Sequence, residues 1–195
     1  MEKQAVLVKD LTVREIVVSV YFTQLFLLFL ATVLSFFLFN QFSDWLLLFK
    51  WDIKAIFGLG FIVVVIAVVL NVGLSFLFSK EAMDDGGINE KLFKGITIPQ
   101  MIVLCLVISL AEELFFRGVL QTTFGLVVAS LVFAGLHFRY LRKPVLFLGV
   151  VVLSFLIGLV YMWTGNLWVT IFIHFLIDLA LGLIIKFELI KGGTS

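Results

Sequence analysis

The only two histidines of this 195-residue chain both fall in apolar segments, and a small set of carboxylates and one guanidinium does the same. His137 lies within FGLVVASLVFAGLHFRY, residues 124–140. His174 and Asp178 lie within LWVTIFIHFLIDLALGLIIK, residues 167–186. A third apolar segment, residues 98–120, carries Glu112, Glu113 and Arg117 in LAEELFFRG. Helical spacing decides which of these can meet. Glu113 and Arg117 are four residues apart and share a face, so a carboxylate–guanidinium pair is available. Glu112 is turned about 100° away and keeps no partner within its own helix. Phe133 and His137 share a face, as do His174 and Asp178.

Three helices can therefore bring together one free carboxylate, two imidazoles and a further acceptor. That inventory suits hydrolysis. A desolvated Glu is a competent general base for water, and two imidazoles can hold the water, donate to an oxyanion or protonate a leaving amine. The same groups are adequate ligands for a divalent metal such as zinc, with Glu112, His137 and His174 leaving a fourth position for water. Neither histidine belongs to an H-E-x-x-H helix, so the common zinc-peptidase arrangement is absent.

The elements that must position these groups are membrane spans. Apolar residues make up 63% of the chain and charged ones 14%, and the mean hydropathy is +1.22. One globular core cannot hide that much apolar surface, so bilayer lipid is the solvent implied. The fold expected is all-α, a polytopic transmembrane helix bundle of about six spans at 16–39, 55–78, 98–120, 124–140, 145–162 and 167–186. Residues 1–97 are read as an N-terminal tail, two spans and a polar connector, residues 98–186 as the catalytic core, and 187–195 as a polar tail. The first apolar run reads as a retained span, longer than a cleavable leader. Residues 79–95 read as a solvated connector, since Asp84, Asp85 and Glu90 fit no calcium loop. A net charge of +1 argues against nucleic acid as a partner.

Placing ionisable groups in lipid is costly. At about 2.5–3.5 kcal/mol each, four formal charges would cost on the order of 10 kcal/mol if each faced lipid alone, comparable to a whole domain's net stability. They must face one another or a wet cavity. Lys and Arg outside the spans divide unevenly: eleven (Lys3, Lys9, Arg14, Lys80, Lys91, Lys94, Arg139, Arg142, Lys143, Lys186 and Lys191) belong to one side, and Lys50 and Lys54 to the other. Both termini are expected on the cytoplasmic side of a plasma membrane. Trp45, Trp51, Trp163 and Trp168 flank two loops as interface anchors, which requires both loops on one side.

With these residues in view, the chain resembles the CAAX-protease and bacteriocin-processing-enzyme family of intramembrane proteases, also called CPBP or Abi. The resemblance covers roughly residues 98–186. It rests on E-E-x-x-x-R at Glu112, Glu113 and Arg117, F-x-x-x-H at Phe133 and His137, H-x-x-x-(N/D) at His174 and Asp178, and TGNLW at 164–168. It implies an endopeptidase acting on membrane-associated peptides or proteins. Glu112 would activate the water, assisted by His137 and His174, with Asp178 positioning that water and Glu113 and Arg117 supporting the site. Many relatives carry Asn at the position of Asp178. An extra carboxylate there favours a proton shared with Glu112, or a cation. Family mechanisms with and without metal are both proposed; no obligatory cofactor is expected. A bacterial source fits the compact chain.

Blander readings attach to single residues. Phe133 reads mainly as packing that wedges His137, Glu113–Arg117 reads equally well as a structural salt bridge, and Cys105 reads as a small buried apolar group. Gln24 and Asn71 read as interhelical hydrogen-bond glue, and Gly118, Gly135 and Gly158 as sites of close helix packing. Two other functions compete with proteolysis: a non-catalytic Abi-like immunity or scaffold protein, which would tolerate Glu112→Gln, and an ion-coupled transporter, for which the chain shows no internal repeat.

Overall fold

Residues 10–39 and 41–190 are described by the computed structural model. Lys3, Lys9 and Lys191 of the charge count lie outside the described residues, as do parts of both tails. The architecture is an all-helical bundle. In chain order its helices are α1 (Val13–Leu38), α2 (Lys54–Leu77), the short α3 (Lys80–Met83), α4 (Ile88–Gly95), α5 (Ile98–Glu113), α6 (Thr122–Leu136), α7 (Pro144–Thr164) and α8 (Leu167–Lys186). Local sequence sets several ends. Thr12 and Glu15 form a capping box at α1, and Thr97 and Gln100 form another at α5. Asn166 caps α8 by accepting from Trp168 N at 3.0 Å. Pro144 opens α7, and Gly165 in the left-handed region (φ 53°) closes it.

Among the described residues five helices are long and apolar enough to cross a membrane, where about six were expected. The difference lies in Ile98–Leu136, a 39-residue helical stretch broken at Gly125, whose φ of 84° and ψ of 171° suit glycine alone. In a straight helix Phe116 and Phe133 would stand about 25 Å apart. Their ring centroids are 4.8 Å apart, so the chain folds back on itself at Gly125. The returning α6 ends at Leu136, too soon to qualify as a span alone. Segment 124–140 is therefore a short return, and six segments still run between the two ends.

Those ends are defined by contacts. At one, Asn166 Nδ2 donates to Lys50 O (2.7 Å), and Phe49 and Trp51 pack edge-on against Trp168, so the two tryptophan-flanked loops share a side. At the other, Arg139 pairs with Asp85 (3.1 Å), Asn89 Nδ2 donates to Tyr140 Oη (3.3 Å), and Lys186 Nζ donates to Ile96 O (2.6 Å). The 79–95 connector, the 137–143 connector and the end of α8 thus meet, grouping the basic residues as the charge count expects.

The outer faces are apolar. Phe22, Phe29, Phe36, Phe61, Val69, Val127 and Leu148 are each more than half exposed, a surface that only lipid solvates. Inside, α2, α7 and α8 share one apolar cluster, while α1, the α5 extension and α6 share another around Phe116 and Phe133. Gly158 lets Leu126 and Gln121 approach, and Gly118 sits against Leu167. Gly135, expected to do likewise, faces open space; its helix face points away from the bundle.

Candidate active site

The site grows from the end of α5. After Glu113 the helix widens into a π-helix, Leu114–Gln121, in which every residue is buried. Such bulges re-aim side chains at functional sites. Here Arg117 turns inward, with its Nε 3.3 Å from Glu113 Oε2. Its Nη2 donates to Ser154 O on α7 (3.1 Å), and its guanidinium carbon lies 5.1 Å from the Phe133 ring centroid. Glu113 and Arg117 are fully enclosed, which makes pairing obligatory.

Glu113 also reaches across to α8. Its Oε1 accepts from His174 Nδ1 at 2.8 Å. An imidazole nitrogen bonded to a carboxylate carries the proton, so this contact sets the tautomer and aims Nε2 at the rest of the site. His174 Nε2 lies 3.6 Å from Asp178 Oδ2 and 3.9 Å from Glu112 Oε2. Exposure rises along the series: the Glu113 side chain is 0% exposed, Glu112 12% and Asp178 26%. Of the three carboxylates, Asp178 is thus the least enclosed.

His137 enters from α6, as the residue that closes that helix, not one in mid-span. Its Nδ1 donates to Phe133 O at 2.8 Å, since a carbonyl can only accept, which leaves Nε2 as an acceptor. The Phe133 ring is the hub between the two imidazoles, with centroids 4.6 Å from His137 and 6.3 Å from His174. The structure thus places Glu112, Glu113, Arg117, His174 and Asp178 around one centre, with His137 and Phe133 at its edge. Among the described residues no group of three or more His, Cys, Asp or Glu, Glu112, His137 and His174 included, is placed to hold a metal ion.

Two residues at the site carry little signal in the sequence. Ser154 looks like an ordinary small residue in an apolar helix, yet its carbonyl and hydroxyl hold Arg117. Gln24 on α1 does form an interhelical bond, and its partner is Glu112 (Nε2 to Oε1, 3.2 Å). Its polarity inside an apolar span was the available clue. Asn71 makes no side-chain hydrogen bond to another described residue.

Comparison with known proteins places this geometry in a family. The model for "type II CAAX prenyl endopeptidase Rce1-like" proteins matches residues 94–180, which contain all seven motif residues. "Uncharacterized protein YpbD" of Bacillus subtilis (strain 168) is 46% identical over 171 residues, spanning 87% of this chain and 89% of that protein. No solved structure matches. Close similarity over nearly the whole length of a relative, joined to a family match centred on the buried carboxylates and imidazoles, makes this chain a member of the Rce1-like CAAX endopeptidase family, an integral multi-pass membrane protein of the intramembrane-endopeptidase type.

Proposed function

We propose that this protein hydrolyses a peptide bond in a membrane-associated peptide or protein, with Glu112 as general base. Glu112 takes a proton from water as the water oxygen attacks the scissile carbonyl carbon. His174, as an imidazolium with its Nδ1–H on Glu113, donates Nε2–H to the forming oxyanion, and His137 Nε2 accepts a hydrogen bond from the water. As the C–N bond breaks, protonated Glu112 returns its proton to the leaving amine. Asp178 holds the water, while Glu113 and Arg117 keep His174 and the surrounding helices in register.

The observation that carries this reading is the position of His174: Glu113 anchors one nitrogen at 2.8 Å and the other looks onto Glu112 and Asp178. Such an arrangement orients a proton-transfer group in a site shielded from lipid. The charge rule assigns the Lys/Arg-rich end to the cytoplasmic face of a bacterial plasma membrane. The family's description makes a prenylated CAAX peptide the first substrate to try. Purified protein in detergent is incubated with a fluorogenic peptide ending in a farnesylated CAAX sequence, with and without a chelator. Cleavage that survives the chelator is expected. Cleavage lost on chelation and restored by zinc would replace the glutamate mechanism with a metal one.

A further inference from the structure

Gln24 belongs to α1, outside the 94–180 stretch matched by the family model and outside the segments that carry the motifs. It sits on the buried stripe of that helix with Ile16, Leu27, Ala31 and Ser35, on a face that is otherwise largely apolar. Burying an amide there costs free energy unless its groups find partners. Its Nε2 finds one in Glu112 Oε1 at 3.2 Å, and this is the one hydrogen bond the Glu112 side chain receives from the described residues. Its Oε1 is buried and has no protein partner, although only 5% of the residue is exposed. The amide's orientation is forced by charge: the donor must face the carboxylate, which leaves the acceptor beside it.

We propose that Gln24 is a positioning residue of the hydrolytic centre, supplied by the first span. The inference rests on Glu112 being the general base. Gln24 occupies Oε1 of Glu112 and so leaves Oε2, the oxygen that faces His174, to take the proton from water. Glu112 on α5 is thus held by a side chain from a second helix. The catalytic centre is thereby completed by a helix that carries none of the family's motif residues, and the seating of α1 against α5 becomes part of its geometry.

Gln24→Met keeps the length of the side chain and removes both polar groups, so it tests the role without opening a cavity. Two measurements are made on detergent-purified full-length protein. In the first, thermal unfolding is followed for wild type, Gln24→Met, Glu112→Leu and the double variant. Gln24→Met is expected to lower the midpoint by about 2–6 °C when Glu112 is present and by less than about 1 °C in the Glu112→Leu background. Equal shifts in both backgrounds overturn the contact. In the second, cleavage of the farnesylated fluorogenic peptide is expected to show kcat lowered about 10- to 100-fold with KM within about threefold of wild type. An unchanged kcat, or a loss confined to KM, overturns the positioning role. A wild type that leaves this peptide intact counts against the proteolytic reading instead, and the unfolding cycle still decides whether Gln24 holds Glu112.

Discussion

Replacing Arg117 with methionine isolates what the buried ion pair contributes. The substitution keeps the aliphatic stem but deletes the guanidinium that faces Glu113 (3.3 Å), donates to Ser154 O (3.1 Å) and lies over Phe133 (5.1 Å). Glu113 would then remain fully enclosed with His174 as its partner. Stranding one member of a buried pair costs about 3–5 kcal/mol. The surviving His174 contact argues for the lower end, about 3 kcal/mol. For a chain of this size each kcal/mol moves the melting midpoint by about 2–4 °C, so a fall of about 6–12 °C is expected. Cys105 supplies the assay, because the sole cysteine is free and 0% exposed in the folded protein. A thiol-reactive fluorophore therefore stays dark until the bundle opens. Adding Glu113→Gln to Arg117→Met removes the stranded charge and is expected to return part of the loss, about 2–4 °C. A fall below about 2 °C for Arg117→Met alone would refute the claim that the pair is sealed from water.

The other expectations concern single groups. Asp178→Asn, which keeps a hydrogen-bonding side chain at the most exposed edge of the site, should retain cleavage of the farnesylated peptide within about tenfold, while Asp178→Leu should lower kcat about 100-fold. Phe133→Ala should destabilise by about 3–5 kcal/mol, read as a lower melting midpoint, because its ring packs between Phe116 and both imidazoles. Gly125→Val should cost about 1–3 kcal/mol in the same assay, since φ 84° with ψ 171° strains any residue with a Cβ. Gly135→Ala, with open space where its Cβ would point, should leave the midpoint unchanged or raise it slightly.

What could be read in the sequence follows from what spacing along one helix encodes. Glu113 and Arg117 were legible as a pair because four residues return a helix to the same face, and the π-helical widening after Glu113 preserves that pair. The proximity of His174 to Glu112 was legible only as a requirement, that groups too costly for lipid must converge. The contact from Gln24 to Glu112 depends on how α1 is rotated and raised against α5, which no spacing within either helix specifies. Ser154 escaped notice because its backbone carbonyl, a group every residue has, is half of what holds Arg117. The fold-back at Gly125 was half visible. A break at residues 121–123 and a short fourth segment were expected, but that segment was carried to Tyr140, since the apolar run continues through Phe138 past the point where the helix ends at Leu136. Gly135 was misjudged for a related reason: a glycine in an apolar helix signals close packing only if its face meets a neighbour.

The account stands on Glu112 being the group that activates water. Its most direct test is the turnover of the farnesylated peptide by Glu112→Gln beside wild type, with Cys105 shielding used to confirm that both are folded. Glutamine preserves size and hydrogen bonding but cannot accept the proton, so kcat should fall by about 10²- to 10⁴-fold with the melting midpoint nearly unmoved. A folded Glu112→Gln protein that cleaves at the wild-type rate would contradict the account.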